Sequence, residues 1–427
     1  MKKIFILLLA AAINQFAHAQ LGGLINKVKN KVNEKATQRA DNKIDKAIDK
    51  GLDEIEGKKT SAPVEETAPP LKSTETAGGL KSFTTYDFIA GEKILYAEDF
   101  ASESAGELPL NWNTNGSGEA VKLDAYAGSW LRLHAPFLYL TANTAVFPEN
   151  YTAEFDLILQ LKNNGWMYPT FSMGFLSSNN EPASSNAVLA KYDAYEAVKA
   201  TLYPEENNGS RVLLESFTDG KANFKSDAKN YAALQNFYGK PIHIAIQVQK
   251  ERFRMWVNAT KIFDVPKAVA GAYKMNQLFF KVGQTNYNDE QYAVYISNIK
   301  TATGVPDTRH KLVEEGSFST TGILFDVNSA VIKPESFGII KEIAGVLKEN
   351  PSVKIRITGH TSSDGDDKAN MDLSQKRAAA VKDALVNEFS MDASVIETAG
   401  KGETAPVADN KTKEGKAANR RVEFTKL

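Results

Sequence analysis

Cysteine is absent from all 427 residues. That absence excludes disulfides, thiol catalysis and cysteine-ligated zinc together. It also leaves no N-terminal cysteine for lipid attachment, so a lipoprotein is not expected. An excess of one charge is missing as well: 51 Lys and Arg stand against 52 Asp and Glu, a net of −1, which gives no bulk attraction to nucleic acid. Histidine is scarce, at 5 residues, and no metal site or cofactor is expected. The oxygen-rich stretch Asn286-Tyr287-Asn288-Asp289-Glu290 reads as a turn rather than a calcium loop. Long apolar runs are lacking too, and the stretch Ile4 to Ile13 is too short to span a membrane as a helix. With Lys2-Lys3 before it and Ala17-His18-Ala19 after it, residues 1–19 have the form of a secretory signal cleaved before Gln20. An apolar content of 42% supports folded cores, and the length allows about three domains.

Residues 20–56 read as one amphipathic helix. Leu24, Val28, Val32, Ala36, Ala40, Ile44, Ile48 and Leu52 recur every four residues, a spacing that overshoots the 3.6-residue period and winds the apolar stripe slowly around the axis. The first half is basic (Lys27, Lys29, Lys31, Lys35, Arg39) and the second acidic (Asp41, Asp45, Asp49, Asp53). A helix of this kind cannot bury its stripe alone, so a protein partner or self-association through 21–56 is expected. No bulky aromatic marks it as a membrane-surface helix. Residues 57–82, with Pro69-Pro70, Gly78-Gly79 and no periodicity, read as a flexible linker.

Residues 83–305 are all-β in pattern. Trp130 to Leu133, Tyr151 to Leu159 and Ile242 to Val248 alternate apolar with polar residues between Gly, Asn and Pro clusters. Asp99-Phe100, Leu108-Pro109 with Trp112, Phe147-Pro148 with Tyr151, and Phe253 to Asn258 together resemble a concanavalin-type or laminin-G-like jelly roll, which implies a β-sandwich. Retaining glycoside hydrolysis needs two carboxyl groups about 5 Å apart. Glu154-Phe155-Asp156 begins such a strand pattern, but Ile158, Leu159 and Gln160 follow where a second glutamate would stand. Catalysis is therefore not expected, and Glu154 and Asp156 are expected to face outward. Trp112, Trp166, Tyr168 and Tyr287 are the candidates for exposed aromatics at a carbohydrate-binding surface.

Residues 306–427 change pattern. Gly322 to Val327 and Val353 to Thr358 read as strands, with an amphipathic helix between them: Phe337, Ile340, Ile343, Ala344 and Leu347 recur at helical spacing after Pro334, and Asn350-Pro351 stops them. Leu373, Val381, Leu385 and Phe389 repeat the helical spacing, and Val395 to Thr398 and Val422 to Thr425 read as two further strands. The order βαβαββ implies an α/β sandwich with helices on one face of a mixed sheet. Gly400, Gly402 and Gly415 read as turn residues.

Within this segment stand Gly359-His360-Thr361, Asn370, Leu373-Ser374, Arg377-Ala378 and Asn419-Arg420-Arg421-Val422. This ordered set resembles the OmpA-like peptidoglycan-binding domain. The resemblance implies noncovalent binding of the diaminopimelate side chain of the wall's stem peptide. Arg377 matches the family arginine that pairs with the ligand carboxylate, a task that suits a bidentate guanidinium. The family aspartate that would meet the ammonium is replaced by Ser362 in Thr361-Ser362-Ser363-Asp364, and Asp364 is the acid left to take its place. Thr361, Asn370 and Arg421 complete the expected site, and His360 is expected to serve a turn-stabilising hydrogen bond. The chain is thus expected to be a non-enzymatic protein of the periplasm, held to the wall and associated with the outer membrane. Two alternatives stand: an envelope scaffold whose OmpA-like domain has lost the wall peptide, and an outer-membrane β-barrel with a wall anchor.

Overall fold

The computed structural model describes residues 86–143, 145–304 and 307–427. The expected signal at 1–19, helix at 20–56 and linker at 57–82 lie outside the described residues.

Between residues 93 and 303 the chain forms two eight-stranded sheets. The first has the spatial order Thr260–Val265, Arg252–Val257, Pro241–Gln249, Asn150–Leu161, Tyr292–Thr303, Tyr126–Leu133, Gly118–Leu123, with Lys93–Glu98 also paired to Tyr292–Thr303. The second runs Lys221–Lys225, Arg211–Thr218, Glu196–Tyr203, Phe171–Leu176, Gln277–Val282, Leu138–Leu140, Asn113–Thr114, with Lys229–Asn230 also paired to Arg211–Thr218. Alternation decides what each strand buries. Ala153, Phe155, Leu157, Ile244, Ile246, Val294 and Ile296 of the first sheet share one apolar core with Phe171, Met173, Phe175, Val198, Ala200, Leu278 and Phe280 of the second. Each such side chain contributes about 1.5–3 kcal/mol on burial. Strands in two sheets around an apolar interior are not a closed barrel with a polar lumen, so the barrel alternative does not describe this fold. A short helix, α1 (Asn186–Ala190), covers a smaller apolar patch on the outside of the second sheet, against Leu138, Leu140 and Phe279.

The C-terminal sheet has four strands in the order Ser317–Thr320, Val422–Lys426, Ile355–Gly359, Ile396–Gly400. Its last two neighbours are parallel and the other pairs antiparallel. Helices α2 (Phe337–Glu349) and α3 (Asp367–Phe389) bury Ile340, Ile343, Leu347, Val381 and Leu385 against Ile355, Ile357 and Phe424. Gly359 and Gly400 end adjacent parallel strands where α3 crosses closely. A Cβ on Gly359 would stand 2.1 Å from the Ser374 carbonyl oxygen, and one on Gly400 2.5 Å from the Gln375 nitrogen. Gly400 therefore serves close packing rather than a turn.

Three expectations are corrected. Gly322 to Val327 is not a strand: Phe325 bridges only Ile332, and the position beside Val422–Lys426 is filled by Ser317–Thr320. The stretch closes on itself instead, with Leu324 N–H donating to Ser336 Oγ and Lys333 N–H to the Leu324 carbonyl. Helix α3 begins at Asp367, six residues before its first counted apolar residue. Its opening turn is held by the Asp366 side chain, which accepts from Ala369 N–H, rather than by burial. A third helix, α4 (Lys413–Asn419), capped by Thr412, stands between the last two strands. The order is therefore βαβαβαβ, and Arg420-Arg421 lie in the connection between α4 and the last strand.

The outer face of the first sheet is covered. Tyr86, Phe88 and Ala90 lie on Ala245, Trp256 and Ala259, and the C-terminal elements approach beside them. Lys333 Nζ reaches Asp156 Oδ2 at 3.2 Å. Lys413 Nζ reaches Glu98 Oε2 at 2.7 Å and Glu103 Oε1 at 2.5 Å. Ala97 N–H donates to Glu414 Oε1, and Lys311 pairs with Glu92.

This covering corrects the expectation for Glu154 and Asp156. They do point away from the apolar core, but both are buried, at 3% and 4% exposure. Strand register places His243 opposite Asp156 and Lys300 opposite Glu154. His243 Nδ1 lies 2.8 Å from Asp156 Oδ1, Lys300 Nζ lies 2.5 Å from Glu154 Oε2, and Asn298 donates to Asp156 Oδ2. Burial opposes every one of these charges, yet the mutual attraction wins: both carboxyls are held below their usual range, and His243 is raised to about 10.

Candidate functional site

The site is built around the end of the strand Ile355–Gly359 and the start of α3. The chain leaves the strand with His360 N–H donating to the Arg421 carbonyl and Thr361 N–H to the Gly402 carbonyl. His360 is buried, and its Nε2 lies 3.1 Å from Glu423 Oε2. Burial first, and Arg421 second, push its pKa down to about 4 against the pull of Glu423. A neutral ring then donates from Nε2 to the carboxylate and leaves Nδ1 without a partner, as found. The ring is therefore neutral at neutral pH, and its contact with Glu423 ties the turn to the last strand.

Ser362 is buried and its hydroxyl donates to Asp364 Oδ2 at 3.1 Å. Asn370, on the first turns of α3, ties this loop down: its amide donates to the carbonyls of Ser362 and Asp364 and to Glu403 Oε2 at 2.7 Å. Asp364 itself is exposed, and its carboxylate is already engaged. Lys416 Nζ from α4 lies 2.6 Å away and Arg420 Nη1 3.9 Å away. Partial burial would raise its pKa, but Lys416, Ser362 and Arg420 together hold it below the usual carboxylate range.

Arg377 lies two turns further along α3 and faces a different loop. Its Nε donates to the Ser329 carbonyl at 2.9 Å, and its guanidinium stacks over the Phe325 ring at 4.8 Å. Among the described residues it has no carboxylate partner. Burial, then the charge of Arg420, lower it to about 10. Arg421 is buried beneath the site, with Nη2 donating to the Ala405 carbonyl and Nη1 unpaired.

Ser362, Asp364 and Asn370 are thus joined by hydrogen bonds, whereas Thr361 and Arg421 form the support below them, and the Thr361 hydroxyl is buried without a partner. Two residues at the site were not among the expected site residues. Arg420 stands between Asp364 and Asp99 of the first-sheet region, 3.4 Å from the latter, and Lys416 reaches in from α4. The repeated basic residues from Lys411 to Arg421 were the available signal, but without α4 nothing aimed them.

The aromatics named for a carbohydrate surface are mostly packing residues. Trp112 stacks on Phe280, and Tyr168 and Tyr287 are buried side by side. Only Trp166 of the four is exposed, at 62%. Asn288 spends its side-chain oxygen on the amides of Glu290 and Gln291.

Residues 324–420 match the OmpA family. Over 101 residues the chain is 45% identical to Outer membrane porin F of Pseudomonas aeruginosa, covering 24% of this chain and 29% of that protein. Over 103 residues it is 46% identical to Probable lipoprotein YiaD of Escherichia coli, covering 24% of this chain and 47% of that one. The chain thus spans less than half the length of either relative. Among solved structures, the peptidoglycan-associated lipoprotein from Burkholderia pseudomallei is 29% identical over 26% of this chain and 89% of that one, with a TM-score of 0.23. The cell wall anchor of the T6SS from Pseudomonas aeruginosa is 33% identical over 26% and 80%, with a TM-score of 0.24. The C-terminal part of this chain is an OmpA-like domain.

Proposed function

We propose that the OmpA-like domain binds peptidoglycan noncovalently and holds the two-sheet domain, read as a jelly roll, to the wall in the periplasm. The observation that carries this reading is Arg377: a half-buried guanidinium on α3, at the position of the family arginine, with no carboxylate among its described partners. A buried cation of this kind gains most from a charged acceptor supplied by a ligand. The stem-peptide carboxylate of a diaminopimelate side chain has that chemistry. The words peptidoglycan-associated and cell wall anchor in the names of two matched proteins agree with it. Asp364, presented by Ser362 and Asn370 and shared with Lys416 and Arg420, is the proposed acceptor for the ligand ammonium, with Thr361 and Arg421 supporting the loop.

The test is sedimentation of the full chain with insoluble sacculi. Arg377→Ala is expected to abolish it, and free diaminopimelate to compete it away; sedimentation of the variant at wild-type affinity would remove Arg377 from the pocket. A second reading rests on the ion pairs of Asp364: with the acid committed to Lys416 and Arg420, the domain would keep its fold and bind an envelope protein. Sedimentation that diaminopimelate cannot compete favours this second reading.

A further inference from the structure

On the outer face of the second sheet, far in sequence from the OmpA-like domain, three strands bring polar groups into one row. Register sets Lys281 opposite Ser172, and Ser172 opposite Thr201. These three face outward because their neighbours Phe171, Met173, Ala200, Leu202, Phe280 and Val282 enter the shared core. They line a cleft of about 430 Å³, with Lys199, Tyr192 and Thr170 completing its walls. That size is within the range of small-molecule sites, roughly 300–1,000 Å³.

The two ammonium groups in the cleft differ. Lys199 is neutralised by Glu215, with Nζ 3.2 Å from Oε2. Lys281 forms no ion pair among the described residues, and its Nζ sits over the Tyr192 ring at 5.1 Å. Burial and then Lys199 lower its pKa, and the opposing charge of Asp193 does not offset them. Beside it, the Ser172 and Thr201 hydroxyls share a hydrogen bond of 2.9 Å. Both residues are nearly buried, at 6% and 4% exposure, and each hydroxyl can both donate and accept, so the pair keeps capacity for a ligand that reaches the floor of the cleft. The half-buried Lys281 ammonium has neither an ion pair nor a hydrogen bond among the described residues, and a cation so placed gains from an anion supplied by a ligand.

We propose that this cleft binds an anionic sugar, its carboxylate or sulfate pairing with Lys281 and its ring hydroxyls meeting Ser172, Thr201 and Thr170. The site is independent of the proposed wall pocket, since none of its residues belongs to the OmpA-like domain.

Isothermal titration of the full chain tests it with three probes: digalacturonate, galactose 6-sulfate and neutral lactose. Saturable binding of at least one acidic sugar and none of lactose is expected, and the acid that binds identifies the anion as carboxylate or sulfate. Lys281→Met, which keeps the stem and removes the charge, is expected to weaken binding at least tenfold, and Lys281→Arg to restore most of it. Thr201→Val, which does not touch the cation, is expected to weaken binding several-fold. The proposal is overturned if neither acidic sugar saturates by about 10 mM, if lactose binds as well as the acids, or if Lys281→Met binds unchanged. Thermal unfolding of each variant separates lost binding from lost folding, and Arg377-dependent sedimentation with sacculi is expected to persist in Lys281→Met.

Discussion

Two clusters of charge lie where the C-terminal elements meet the first-sheet region, and they obey different rules. Beneath the C-terminal elements, His243, Lys300 and Lys333 are set among Glu154, Asp156 and Glu335, cation for carboxylate, and the two strand acids are almost fully buried. At the candidate wall site, Lys416 and Arg420 flank Asp364, with Asp99 arriving from the first-sheet region, while Arg377 faces a different loop further along α3. The sealed cluster is balanced because an unpaired charge in its place would cost several kcal/mol. The open cluster is matched as well, Lys416 and Arg420 against Asp364 and Asp99, but its charges are exposed enough for water and salt to screen them. What distinguishes the candidate ligand site from structural glue here is exposure, together with the Arg377 guanidinium that stands apart without a carboxylate among the described residues, not the number of charges.

The comparison can be broken from its sealed side first. Asp156→Ala leaves His243 and Lys333 buried without their acid and is expected to cost about 3–5 kcal/mol in urea unfolding; a loss below about 1 kcal/mol would mean that water reaches the cluster. The pH profile comes next. His243 is raised from 6.5 to about 10, so its contribution is full below about pH 6.5 and is lost as pH rises toward 10. The carboxyls of Glu154 and Asp156 are lowered, so their contribution is present above the usual carboxylate pKa near 4 and is lost as pH falls further. Stability is expected to decline by about 2 kcal/mol or more between pH 7 and 10, and His243→Gln to flatten that decline. An unchanged slope in the variant would assign it to other groups.

The open cluster should respond more mildly. Ser362→Asp adds an acid where the family places one and is expected to tighten sedimentation with sacculi by about tenfold, the worth of one charge-assisted bond; no change would show that Asp364 already does this work. Smallest of all, Asp99→Ala releases Arg420 from a partly exposed pair and is expected to move the unfolding free energy by less than about 1 kcal/mol. A larger effect would make Asp99 a part of the sealed interface.

Much of the C-terminal domain was legible because its signals are local. Phe337, Ile340, Ile343 and Leu347 repeat at the helical period, and the structure buries Ile340, Ile343 and Leu347 in α2. Gly322 to Val327 misled because β propensity reports a pleated, half-buried surface and says nothing of which strand is available to pair. Helix α4 was hidden by Gly415, a poor helix former that is needed where a Cβ would meet the Asp409 carbonyl oxygen at 1.9 Å. At the site, Asn370 and Arg377 were visible as parts of an ordered pattern, whereas Arg420 and Lys416 became site residues only once α4 aimed them.

The amino-acid sequence by itself determined the period of each element, the change from alternating strands to helices and strands near residue 306, and the identity of the groups after Gly359. Which face of a strand is covered was left to the tertiary structure. Alternation placed Glu154 and Asp156 on the side opposite Phe155, as observed, and a side facing away from one core is normally wet. The chain returns more than 170 residues later to lay Lys333 on that face, and the dielectric around the two acids changes with it. Burial depends on what arrives from elsewhere in the chain, and no local pattern of residues carries that information.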